Sequence, residues 1–165
     1  DPGPAGRRKV VDRLEALLIE DDFVEQYCSA EATTGADVIY EDEALGFQVL
    51  AHIMNNGHKG GPHDHGASWA IYGQAVKYTD MTEYRRLDDG STAGKADIEI
   101  DRTYRLERGK AGIFDDGKIH SIEYPAGARF IRITGCDLAA IPRGRYDMAA
   151  GTMDVSFREN FTGSK

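Results

Sequence analysis

Gly57-His58-Lys59-Gly60-Gly61-Pro62-His63-Asp64-His65-Gly66 and, much later in the chain, Gly109-Lys110-Ala111-Gly112-Ile113-Phe114-Asp115-Asp116-Gly117-Lys118-Ile119-His120 are the two stretches that decide the fold. His63 and His65 stand two apart, and on an extended strand alternate side chains project from the same face. His120 can join them only if the chain returns beside that strand. An antiparallel barrel brings distant segments together in this way, so the spacing predicts an all-β antiparallel barrel with three imidazoles gathered on one metal ion.

The surrounding pattern fits such a barrel. Strand-like runs cover 37–40, 46–54, 61–72, 75–86, 96–105, 111–114, 120–124 and 128–134. Asn55-Asn56-Gly57, Asp88-Asp89-Gly90 and Asp115-Asp116-Gly117 supply the turns between them. One stretch, 7–27, is helical by its spacing of Val10, Val11, Leu14, Leu17 and Leu18, and is expected to lie over the outside of the barrel. The opening Asp1-Pro2-Gly3-Pro4-Ala5-Gly6 reads as a free end outside the fold. The expected organisation is a tail and helical cover over 1–35, a barrel over 36–138, and an extension over 139–165 packed on the barrel. From Leu138 onward that extension reads as irregular, with room for one late strand.

Both glycine-histidine frameworks resemble the two motifs of the cupin superfamily. The first matches from Gly57 to His65 and the second from Gly109 to His120. The resemblance implies a double-stranded β-helix, a jelly-roll barrel, with the metal in its lumen. The usual glutamate ligand after His65 is replaced, since Trp69 and Ala70 stand there. Asp115 takes the place of the second motif's proline, and Tyr124 that of its final asparagine. Within the superfamily, the run Pro62-His-Asp-His-Gly-Ala-Ser-Trp69 is similar to cysteine dioxygenase and mercaptopropionate dioxygenase, which lack the same glutamate and hold ferrous iron by three histidines. That likeness implies Fe2+ on His63, His65 and His120, with Zn2+, Ni2+ or Mn2+ as alternatives. It also implies dioxygen and a small-molecule substrate as the partners.

The pocket of those thiol dioxygenases is not reproduced. Phe130, Arg132 and Thr134 occupy the positions of the family's Ser-x-His-x-Tyr run, Ala70 stands where some members carry the cross-linking cysteine, and no arginine lies near 38–41. Cysteine oxidation is therefore not expected. Three neutral imidazoles leave a metal's charge uncompensated, which favours a small anion chelating through thiolate, enolate or carboxylate. The residues expected around it are Arg132 as a carboxylate clamp, Tyr72 and Gln74 following Ala70 at period 2, and Tyr124 on the face of His120. His52 shares an inward face with Gln48, Leu50 and Met54. It either orients substrate and shuttles a proton or is an ordinary buried histidine. Arg132 enters the lumen or points to water beside Arg129, and the sequence leaves both open. Asp64, between two ligands, must point away from them and suits structural hydrogen bonding. His58 is expected at the surface, and Trp69 in packing.

Two function classes follow: a mononuclear iron(II) dioxygenase acting on a small anionic substrate, or a non-redox metal-binding cupin acting as isomerase, lyase or ligand-binding module. Composition narrows the rest. A chain of 165 residues suits one domain. A formal charge of −8 disfavours nucleic acid and anionic lipid. Two scattered cysteines, Cys28 and Cys136, make no disulfide framework and point to a reducing cytoplasm. No apolar run reaches the roughly twenty residues of a membrane span. Edge strands invite pairing, which makes a homodimer a candidate assembly.

Overall fold

The computed structural model describes residues 3–157. The part of the expected free end at Asp1 and Pro2, and the end of the C-terminal extension from 158 to 165, lie outside the described residues. The remainder of that opening is helical rather than free. Helix α1 runs Pro4–Leu18, with Gly3 as its N-cap and Pro4 at its first position. Proline suits that place because the first-turn N–H it lacks would have no helical partner, and its fixed φ already matches the helix. Helix α2, Asp21–Cys28, follows directly.

Eleven strands follow among the described residues. The larger sheet has the order β1-β2-β9-β4-β7, from Gly35–Glu41 (β1), Gln48–Met54 (β2), Ala128–Thr134 (β9), Ala70–Val76 (β4) and Ala111–Phe114 (β7). The second has the order β3-β8-β5-β6, from His58–Lys59 (β3), His120–Tyr124 (β8), Tyr78–Arg86 (β5) and Ile98–Glu107 (β6). All pairings are antiparallel. Neighbours such as β2 with β9 and β4 with β7 are far apart in sequence. This crossing back and forth between two facing sheets is the antiparallel double-stranded β-helix.

Alternation along each strand of the larger sheet assigns its two faces. Ala51, Ile53, Ile71, Ala75, Ile131 and Ile133 point outward and are covered by Val11, Leu14, Leu18 and Cys28 of the helices. Burial of each large aliphatic side chain contributes about 1.5–3 kcal/mol, which fixes the helical cover in place. Gly73 is where the cover comes closest: a Cβ there would lie 2.5 Å from Leu14 Cδ2 and 2.6 Å from Leu18 Cδ1. On the inner face, Ala70, Tyr72, Met81, Leu106, Phe114 and Phe130 fill the lumen. Cys28 and Cys136 are free thiols. Among the described residues, no helix is long and apolar enough to cross a membrane.

Two expectations need correction. The run 61–72 is not one strand, because β4 begins only at Ala70. Before it, His63 makes isolated bridges to His120 on one side and Arg145 on the other, then the chain turns at Gly66. The tail is not irregular either. Strands β10 (Pro142–Asp147) and β11 (Thr152–Phe157) form a hairpin in full register. Its face meets a third small core of Tyr84, Ala96, Ile98 and Ile119, against which Tyr146 and Met153 pack.

Candidate metal centre

His63 and His120 are tied together by the backbone itself. The N–H of each donates to the carbonyl of the other at 2.9 Å, a closed antiparallel rung that sets the two side chains beside one another. His65 joins them from the turn beyond Asp64, where Ser68 N–H donates to His65 C=O at 3.2 Å. The three histidines each offer a ring nitrogen, and these atoms all lie within 4.8 Å of one another. Ring centroids stand 4.6 Å apart for His63 and His120, and 4.7 Å for His65 and His120. A single ion fits among donors at that separation.

Each ring is held by its surroundings. His120 Nδ1 lies 3.1 Å from Lys118 C=O, and His63 Nδ1 lies 3.0 Å from Gly61 C=O. A carbonyl only accepts, so Nδ1–H donates in both and each Nε2 keeps its lone pair for a metal. Tyr72 hydroxyl is 3.2 Å from His65 Nε2. Phe114 packs on His120 with ring centroids 4.1 Å apart.

Electrostatics keep the donors uncharged. Burial, then the neighbouring His120 and His63, then Arg132 and Arg143, hold His65 well below the usual imidazole range. Burial, with His63, pushes His120 down to about 3, against the opposing influence of the Lys118 carbonyl and Glu83. Both are neutral at pH 7, the form that ligates a metal. A consequence follows for the metal-free protein. With its folded pKa below the unfolded value of 6.5, His120 takes up a proton in the unfolded chain first. Stability is therefore full above about pH 6.5 and falls as pH drops toward 3. At about 1.4 kcal/mol per unit, the loss between pH 7.5 and 5 is on the order of 2 kcal/mol. Urea midpoints of chelator-treated protein at those two pH values measure it, and equal midpoints would mean the imidazole is in contact with water.

Asp64, expected to point away from the three imidazoles, makes structural hydrogen bonds. Its Oδ1 accepts from Gly66 N–H and Gly144 N–H, each at 2.8 Å, and its Oδ2 accepts from Tyr146 hydroxyl at 2.7 Å. A Cβ on Gly144 would fall 2.6 Å from Asp64 Oδ2, so only glycine lets β10 approach this closely. Asp64 N–H also donates to Gly144 C=O at 3.1 Å, and Tyr146 N–H to Pro62 C=O at 2.9 Å. The ligand-bearing segment 62–64 thus runs between β8 and β10, bonded on both sides.

The other expected residues separate into those near the histidines and those apart. Arg132 is buried at 6 % exposure on β9, in register with Leu50 and Tyr72. Its neighbours Ile131 and Ile133 face the helices, so it shares the lumen face with Phe130 and Thr134. Arg129 is the one on the opposite face, where it donates to Cys28 C=O at 2.9 Å. Tyr72 reaches His65 directly. Gln74, two residues on, does not: both N–H groups of its amide donate to carbonyls, of Val76 and Arg129, and its Oε1 accepts from Thr79 hydroxyl. It holds the β4–β5 corner. His52 faces inward as expected and stacks on Phe130 at 4.6 Å. Tyr124 contacts Phe130 and the exposed His58, so Phe130 links both residues to Tyr72. Trp69 packs with the outer core.

Two residues near the histidines carry no motif signal. Glu83, in register with His120, is buried in the lumen and accepts from Arg102 at 2.6 Å, Lys118 at 2.9 Å and Tyr104 at 3.0 Å. Burial raises its pKa, but those hydrogen bonds outweigh burial and leave it below the usual carboxylate value. Period 2 with Thr79 and Met81 was the available sign of its inward position. Arg143, on β10, lines a cleft beside His65. A larger groove of about 260 Å³ lies on the β10–β11 hairpin, lined by residues such as Asp147 and Asp154, and none of the three histidines borders it.

No protein-family profile matches the chain, and no curated protein matches its sequence. Solved structures show likeness of shape. The cupin domain of Cnp3 from Schizosaccharomyces pombe is 12% identical, with a TM-score of 0.48 over 65% of this chain and 66% of that one. KdgF from Halomonas is 13% identical, with a TM-score of 0.43 over 60% of this chain and 76% of that one. Hydroquinone 1,2-dioxygenase PnpCD, in complex with Cd2+ and 4-hydroxybenzonitrile, is 9% identical, with a TM-score of 0.48 over 73% of this chain and 74% of that one.

Proposed function

We propose that the chain is a mononuclear metal-dependent enzyme of the iron(II) dioxygenase kind, acting on a small anionic substrate that chelates the metal. The observation that carries this reading is the set of three histidine donors within 4.8 Å of one another, in a barrel whose inner face also bears a buried arginine. A ferrous ion held by His63, His65 and His120 would supply open coordination positions for a chelating substrate and dioxygen. The residues of the chain do the rest. Arg132 meets the substrate carboxylate through its planar fork of donors. The hydroxyl of Tyr72, beside His65, offers a proton or a hydrogen bond to an anionic oxygen. Phe114 and Phe130 exclude water from the inner side of the histidines, which strengthens each charge interaction there.

A second reading, a non-redox isomerase or lyase on Zn2+, Ni2+ or Mn2+, is favoured by one observation. Tyr72 is placed as an acid or base next to the ligand set, and proton transfer at such a centre needs no oxygen. Anaerobic purification, metal analysis and oxygen-uptake assays over thiols, β-dicarbonyls and hydroxy acids separate the two. Substrate-triggered oxygen uptake by the iron-loaded protein supports the first. A substrate converted without oxygen consumption, with zinc or nickel equally active, supports the second.

The carboxylate role of Arg132 gives its own expected result. Arg132→Gln removes a charged hydrogen-bond partner worth about 1.5–3 kcal/mol, so KM rises roughly ten- to a hundredfold while iron content stays unchanged. A KM within twofold of the parent would remove Arg132 from substrate binding.

A further inference from the structure

The cleft beside His65 is bounded by Leu138, Ile141 and Arg143, and encloses about 10 Å³. That is room for about one water molecule. Its walls other than His65 come from the loop at Leu138 and Ile141 and from Arg143 at the start of β10. The loop 138–141 makes local turns, with Ala139 N–H donating to Asp137 Oδ1 at 2.9 Å and Ala140 N–H to Asp137 C=O at 3.1 Å, while Pro142 and Arg143 already pair with Phe157 and Ser156 in the hairpin. The hairpin is anchored where Asp64 holds Gly144. Arg143 therefore stands next to the anchor, at the edge of the histidine site.

Two guanidinium groups thus come to His65 from separate elements. Arg132 stands on the barrel wall in register with Tyr72, whose hydroxyl touches His65. Arg143 stands on the hairpin at the mouth. We propose that Arg143, held on the hairpin at the mouth beside the 138–141 loop, is a second anion contact of this centre, and that the substrate is a small acid with two anionic groups, such as a dicarboxylate. The proposal rests on the metal-dependent reading given above. One anionic group meets the metal and Arg132, and the other meets Arg143. A cation with neutral ligands and two guanidiniums around one small volume repel one another. A dianion relieves that repulsion at both ends, and a planar fork is the side chain best matched to a carboxylate.

The test uses the full chain loaded with Co2+, whose visible absorption reports ligands entering the site. Malonate and succinate are titrated against acetate and propionate at fixed ionic strength. Dicarboxylates are expected to bind at least tenfold more tightly than monocarboxylates. Arg143→Gln is expected to abolish that advantage, with monocarboxylate binding and cobalt content unchanged, whereas Arg132→Gln weakens both classes. Equal binding of the two classes to the parent protein would overturn the proposal, as would a dicarboxylate advantage that survives in Arg143→Gln, since that is chelation by the metal alone. Failure of the parent protein to take up cobalt would instead overturn the metal reading, and this inference with it.

Discussion

Replacing His120 by alanine is expected to abolish stoichiometric metal uptake while leaving the protein folded. The side chain is fully buried and supplies one of three donors. The rung that joins it to His63 is made by backbone atoms, which alanine retains, so the barrel closes as before. Loss of a residue that merely orients a ligand lowers metal affinity about 10- to 100-fold, and loss of a ligand lowers it by more than about a hundredfold. Metal per chain after dialysis, with a circular-dichroism spectrum to verify the fold, measures this. Stoichiometric metal in both His120→Ala and His63→Ala would dismiss the site. The same variant serves the metal-free experiment, since removing the imidazole removes its share of the acid sensitivity between pH 7.5 and 5.

Asp64→Ala is expected to cost about 3–5 kcal/mol. Three donors lose their acceptor at once: Gly66 N–H, Gly144 N–H and the Tyr146 hydroxyl. Hydrogen bonds to an ionised group contribute about 1.5–3 kcal/mol each, and the sum is reduced because the released amides regain some water. The urea midpoint should fall, and amide exchange should rise across β10 and β11 before it rises in β2, β4 or β9. Asp64→Asn should lose about half as much, because its oxygen still accepts from both amides while its NH2 must meet a Tyr146 hydroxyl turned round to accept. An unchanged midpoint and unchanged exchange in Asp64→Ala would show that the hairpin is held by other contacts.

The barrel was legible wherever a strand carries one buried face. The strands 111–114, 120–124 and 128–134 begin and end where the alternation and the turn glycines place them. Alternation also decides Arg132 once Ile131 and Ile133 are seen beneath the helices. It was not legible where single rungs replace a ladder. The spacing of His63 and His65 looks the same on a strand and on the extended segment that lies between β8 and β10. The hairpin was hidden for another reason: Val155 and Phe157 are exposed, so its pattern shows no buried stripe. What positions β10 is a carboxylate distant in sequence, and no local pattern announces that. Arg143 therefore had no address until the hairpin did. Glu83 was masked similarly, since an acidic residue in a strand reads as solvent-facing until Arg102, Lys118 and Tyr104 are found around it.

The bonds from Asp64 to Gly144 and Tyr146 also set a timetable for the newly made chain. At about 5–20 residues per second, a ribosome that has just added Asp64 needs roughly 4–16 s more to reach Tyr146, which lies 82 residues on. For nearly all of that interval His63 and His65 are both synthesised, but Asp64 between them has no hairpin to dock against. His120 arrives late in the same window, so a nascent chain offers a passing ion two donors and then three, without the clamp that fixes their spacing. The spacing of the three imidazoles is therefore fixed only after Tyr146 has been added, and an ion met earlier would find donors not yet held in place.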